Sequence, residues 1–93
     1  MSVMTIEHVL VDFKSDDRIR QDEAELILVE IASSIGDLDY ERKNKRFSWS
    51  SPQDDIRRLA RTYVITVAPE RASDVAMLLR DSPLVHQAYL GKP

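Results

Sequence analysis

Ninety-three residues, 43% hydrophobic and 31% charged, make one domain spanning residues 1–93 with a single modest core. The formal net charge of -3 argues against general nucleic-acid affinity, and the lack of cysteine excludes disulfides, thiolate catalysis and iron–sulfur clusters. The first residues have neither a positive start nor a long apolar stretch, and no run nears the about 18 apolar residues that span a membrane. A chain without a leader, in the cytoplasm, is therefore expected.

Residues 6–13 read as a strand, with Val9, Val11 and Phe13 on one side and Ile6, His8 and Leu10 on the other. Both sides are partly apolar, which suits a central strand. Ser15, Asp16 and Asp17 supply cap chemistry and negative charge for a helix over residues 17–35. Ala24, Ile27, Leu28, Ile31 and Ile35 form its buried stripe, and Leu26 and Val29 lie off it. Gly36 and Asp37 end it, with Gly36 placed for a left-handed conformation.

Residues 38–49 read as extended, Leu38 and Tyr40 alternating before a polar break and Phe47 and Trp49 alternating after it. The break, Arg42, Lys43, Asn44, Lys45 and Arg46, is either a tight turn or a continuing exposed strand. Ser51 and Pro52 look like a cap followed by a first-turn proline. Residues 56–61 are either one or two helical turns or a disordered loop. Residues 63–67 are nearly all β-branched or aromatic, which predicts a strand in the middle of a sheet.

Pro69 opens a helix through Arg80, with Ala72, Val75, Ala76 and Leu79 as its buried stripe. Ser82 and Pro83 break it, and residues 84–90 are extended again. The order βαββαβ predicts an α+β, ferredoxin-like sandwich: a four-stranded antiparallel sheet with two helices on one face. The first and third strands would be central, with the last at an edge beside the first.

No constellation in the chain calls for catalysis, a metal or a cofactor, and a non-enzymatic protein is expected. His8 and His86 both fall in strands and, in this topology, approach each other on one face as a metal pair or pH switch, or serve as ordinary sheet residues. None of the serines lies in a Gly-x-Ser-x-Gly elbow, and two glycines are too few for a phosphate-cradling loop. The acid pairs Asp16–Asp17 and Asp54–Asp55 each fall at a helix start, where capping accounts for them. Cations interleaved with aromatics can grip phosphates and stack bases, so Arg42, Lys43, Lys45, Arg46, Phe47 and Trp49 are the residues of an RNA-contacting reading. Its plain counterpart is a charged hairpin tip kept soluble by lysines.

Two helices cover one side of such a sheet, and the other side is expected to carry aromatics and aliphatics from several strands. An exposed apolar patch of that kind marks a partner surface, used for self-association or for another protein.

Residues 63–67, then Pro69, Glu70, Arg71 and Ala72, then residues 78–85 ending Asp81, Ser82, Pro83, Leu84, Val85, resemble the propeptide and inhibitor domain of subtilisin-type serine proteases. The strand at residues 9–14 and the long first helix also fit. The resemblance implies a protease inhibitor or folding chaperone whose sheet packs on the enzyme and whose C-terminal residues, 88–93, enter the cleft like a product. The protein-binding set would be Tyr63, Ile65, Gln87, Ala88, Tyr89 and Leu90. Residues 63–85 also resemble a small-subunit ribosomal protein of the same element order, which implies a ribosome-associated role for the basic tract. A third expectation is a regulatory domain that oligomerises through its sheet and binds a small ligand at the interface.

Overall fold

A computed structural model of the chain describes residues 6–36 and 38–91. Asp37, Lys92, Pro93 and residues 1–5, with the expectations that fall on them, lie outside the described residues. In chain order the elements are β1 (Glu7–Phe13), α1 (Gln21–Ile35), β2 (Leu38–Arg42), α2 (Asp54–Ala60), β3 (Thr62–Val67), α3 (Pro69–Arg80) and β4 (Val85–Leu90). The four strands form one antiparallel sheet in the order β2-β3-β1-β4, an α+β architecture with β3 and β1 central.

Alternation decides which side chains meet the helices. Val9, Val11 and Phe13 of β1 share one core with Tyr63, Ile65 and Val67 of β3 and Val85 and Ala88 of β4. Ala24, Leu28 and Ile31 of α1 and Ala72, Val75, Ala76 and Leu79 of α3 close that core from above, so both long helices lie on the same face. Leu10 and Val64, paired across the two central strands, are also buried, but on the opposite face.

Pro69 occupies the first turn of α3, where its fixed φ is helical and its missing N–H is not needed. Gly36 ends α1 at φ +78°, a conformation that costs a glycine little.

Three local expectations need correction. First, α1 starts at Gln21 and not at residue 17, and its N-cap, Arg20, makes no side-chain cap bond. Asp16 instead accepts the Arg18 N–H at 2.9 Å and its guanidinium at 2.8 Å, closing a turn before the helix. Second, β2 ends at Arg42, and Phe47 and Trp49 are not on a strand. The Arg42 guanidinium donates to the carbonyls of Phe47 and Lys45 and so folds the basic tract back on itself. Third, Pro52 lies before Gln53, the N-cap of α2, and not in a first helical turn; of the two readings of residues 56–61 the helical one holds, through Ala60.

At the β4 edge, Arg80 Nε donates to the carbonyl of Ala88 at 2.8 Å, occupying one of the acceptors that an edge strand would offer to another chain. Among the described residues no helix is long and apolar enough to cross a membrane.

Leu79 is fully buried between α3 and the sheet. Leu79→Ala is expected to lower the unfolding free energy by about 2–5 kcal/mol. The check is urea titration, in which the midpoint should fall with the slope unchanged.

A cleft at the end of the open sheet face

On the face away from α1 and α3, Thr62, Asp12 and Gln87 stand in one row across β3, β1 and β4. Asp12 lies at its centre and is half-buried. Its Oδ1 accepts the Thr62 hydroxyl at 2.8 Å, and its Oδ2 accepts the Gln87 side-chain amide. One carboxylate therefore brackets three strands through two neutral donors. Beside it the β1–β4 register shifts, so that Asp12 faces Gln87 while Phe13 faces Val85, leaving His86 as an extra, exposed residue.

α2 sits past the end of this row. Thr62 Oγ1 also approaches the Arg58 carbonyl at 3.4 Å, and Asn44 donates to the Leu59 carbonyl at 2.9 Å, which fixes the last turn of α2 against the β2 turn. Between α2 and the sheet lies a cleft of about 600 Å³. Asp12, Thr62 and Gln87 line it on the sheet side, with Lys14 and His86 at the strand ends and Asp55, Arg58 and Leu59 on α2.

The loop that carries Lys14 is held by Arg61, which is 2% exposed. Arg61 Nη1 donates to the carbonyls of Lys14 at 2.6 Å and Asp16 at 3.2 Å. The guanidinium carbon lies 4.4 Å from the centre of the Trp49 ring, and Trp49 Nε1 donates to the Ile19 carbonyl at 3.1 Å. Burial first, and the cation of Arg57 next, pull the Arg61 guanidinium below its ordinary value, opposed by Asp17 and Asp16. The Arg61 Nε finds no hydrogen-bond partner among the described residues.

Of the sequence-derived protein-binding set, Gln87, Tyr89 and Leu90 are exposed on β4. Tyr63, Ile65 and Ala88 are not surface residues: they point into the core beneath the helices and offer nothing to a partner. The expectation that the open face carries several aromatics is likewise corrected, because Phe13 and Tyr63 face the helices and Tyr89 is the aromatic on the open side.

In the RNA-contacting set, Trp49 is buried and Arg42 is spent on the turn's own carbonyls. Lys45 pairs with Glu41 at 2.9 Å, and Arg46 lies 5.0 Å from the Phe47 ring centre. Lys43 and Arg46 are exposed, but no free aromatic platform for stacking accompanies them.

The two histidines do not meet. His8 lies near Thr66 at one end of β1, while His86 stands at the other end of the β1–β4 ladder, roughly 13 Å along the strand. Asp54 and Asp55 do occupy the first turn of α2, whereas Asp16 and Asp17 serve Arg18 and Arg57. Hydrogen bonds from Arg18, chiefly its side chain and next its backbone, lower the Asp16 carboxyl to about 2. Among the described residues no group of three or more His, Cys, Asp or Glu side chains is arranged to hold a metal. No family model matches the chain, and no curated protein matches it.

Sequence reasoning missed Arg61 and Asp12. The one available signal was positional: Asp12 is an acid between Val11 and Phe13 in an otherwise apolar stretch, and Arg61 directly precedes the β3 run.

Two measurements check the interior. Arg61→Met is expected to cost about 2 kcal/mol, because two loop carbonyls lose a charged donor, and to shift the emission of Trp49, the single tryptophan. Unchanged stability with unchanged emission would mean that water replaces the guanidinium.

The second concerns Tyr63, whose buried hydroxyl makes no well-formed hydrogen bond among the described residues, although the Gln21 and Glu25 side chains of α1 lie near it. Burial, and next the charge of Glu25, push it well above its ordinary 10.0. A raised folded-state value means stability is intact below pH 10.0 and falls as pH rises beyond it, by up to about 1.4 kcal/mol per pH unit. Tyr63→Phe should remove that alkaline component and be neutral or slightly stabilising at pH 7, as read by urea unfolding at both pH values.

Proposed function

We propose that the chain is a non-enzymatic, ferredoxin-like binding module that docks a protein partner by its open sheet face and the end of β4. The observation that carries this reading is the one-sided placement of α1 and α3, which leaves the opposite face without a long helix. Two split β-α-β units support the ferredoxin-like description: β1 and β2 are both antiparallel to β3, and β3 and β4 are both antiparallel to β1. The helix α2 is then an addition between the second and third strands.

Around the buried Leu10–Val64 pair stand Ile6, 51% exposed, and Tyr89, 39% exposed, with Leu59 at the α2 end. Such residues give a partner apolar surface on a face otherwise made of Thr62, Thr66, His8 and Gln87 and the acids Asp12, Asp39 and Glu41. The partner class favoured is a subtilisin-type serine protease. Its support is the resemblance carried by residues 63–67, 69–72 and 78–85, which here lie in β3, the start of α3, and the end of α3 with the turn into β4. The chain would act by occupying the enzyme, with no chemistry of its own.

Titration of subtilisin-type proteases with the intact chain tests this, reading residual activity and the mass of the chain. Inhibition is expected, weakened about tenfold or more by Tyr89→Glu and unchanged by Ser33→Glu on the outer surface of α1. Rapid digestion of the chain without inhibition overturns the protease reading.

A further inference from the structure

The cleft beside Asp12 carries an unresolved electrostatic arrangement. Lys14 and Arg58 bring two cations to its walls, and Asp12 and Asp55 bring two carboxylates. Among the described residues, none of these four charges lies within 4.0 Å of an opposite one. Elsewhere the chain does pair such groups, as in Arg57 with Asp17 at 2.7 Å and Lys45 with Glu41 at 2.9 Å. The cleft leaves its opposite charges unpaired.

The four are not equivalent. Lys14, Arg58 and Asp55 are exposed and free to reorient, whereas Asp12 is half-buried and fixed by Thr62 and Gln87. Both of its donors are neutral, so the bracket orients the carboxylate without neutralising it. A partly desolvated carboxylate favours a cation, and an ammonium group supplies one along with hydrogen bonds for the remaining lone pairs. An arginine opposite such a group favours a carboxylate. The exposed Leu59, on the α2 wall, adds apolar surface between them.

We infer that this cleft binds a small zwitterion of the amino-acid or short-peptide class, its ammonium on Asp12, its carboxylate on Arg58 and Lys14, and its apolar part along Leu59. A molecule with only one of the two charges satisfies one wall and leaves the other as it was. The volume of about 600 Å³ exceeds a single amino acid and admits a dipeptide. The inference does not depend on protein docking, and its test involves no protease.

The experiment is backbone-amide NMR titration of the full chain with L-leucine and with glycylleucine. Isocaproate, which lacks the amine, and isopentylamine, which lacks the carboxylate, are the control probes. Saturable shifts confined to residues 12–15, 58–62 and 86–87 are expected with at least one of the two zwitterions. Each single-charge probe should bind about tenfold more weakly, or less, than that zwitterion. Arg58→Gln should weaken the preference over isopentylamine, leaving Lys14 alone to meet the carboxylate, and Asp12→Asn should weaken the preference over isocaproate. Arg58 is exposed and its side chain makes no ion pair among the described residues, so its variant decides the matter if Asp12→Asn fails to fold. Absence of localised saturable shifts with both zwitterions, or equal binding of the single-charge probes, overturns the inference.

Discussion

The guanidinium of Arg61 is the contact on which the lower half of the molecule depends. It stands at the junction of α2 and β3, and it reaches the carbonyls of Lys14 and Asp16 while lying against Trp49. Three connections therefore meet at one side chain: the β1–α1 loop, the β2–α2 segment and the start of β3. In the two connecting segments Ile19 and Trp49 are the buried apolar side chains. Trp49 packs near Phe13 and Tyr63, with ring centres 6.1 and 6.4 Å away. An arginine suits this position because a planar cation can face an aromatic ring and still donate at its edge to backbone oxygens.

What the sequence disclosed follows from how locally each element is specified. β3, α3 and β4 were legible because their signals lie within a few residues: a β-branched run, Pro69 at the helix start, and Ser82 and Pro83 at its end. The segment from residue 43 to 53 was not legible, because its conformation is set from far away. Phe47 and Trp49 alternate as a strand would, yet Trp49 is fixed by Ile19, 30 residues earlier, and by Arg61, 12 residues later. Period-two patterning cannot distinguish a strand from a loop whose large side chain is captured by the core. The acids before α1 misled for a related reason: Asp16 had a closer competitor in Arg18 than the helix N-terminus.

The facing of the sheet was the deeper ambiguity. β1 and β3 carry apolar residues on both sides, Val9 and Val11 against Leu10, Tyr63 and Ile65 against Val64. Composition leaves open which set meets the helices, and a register shift of one residue would exchange them. The structure resolves it through size: the face with Phe13 and Tyr63 fills the deep space beneath α1, and the face with Leu10 and Val64 is a shallow layer closed by its own neighbours. Tyr63, Ile65 and Ala88 of the candidate protein-binding set are buried on the deep face for this reason, and the Asp12 bracket lies on the shallow one.

That placement explains why the cleft exists where it does. A sheet covered by helices on one side exposes polar strand residues on the other, and Thr62 and Gln87 are such residues. They require nothing beyond water until Asp12 joins them into a row. With α2 anchored past the end of that row by Thr62 and Asn44, the row becomes the floor of a concavity and no longer part of a flat surface. The wall opposite is short, seven residues, and leaves its basic and apolar side chains outside the core. Arg61 sets the remaining wall by fixing the carbonyl of Lys14 from behind. Interior packing and cleft geometry are thus two sides of one loop: the arginine that lies against Trp49 also holds the backbone from which Lys14 reaches the cleft.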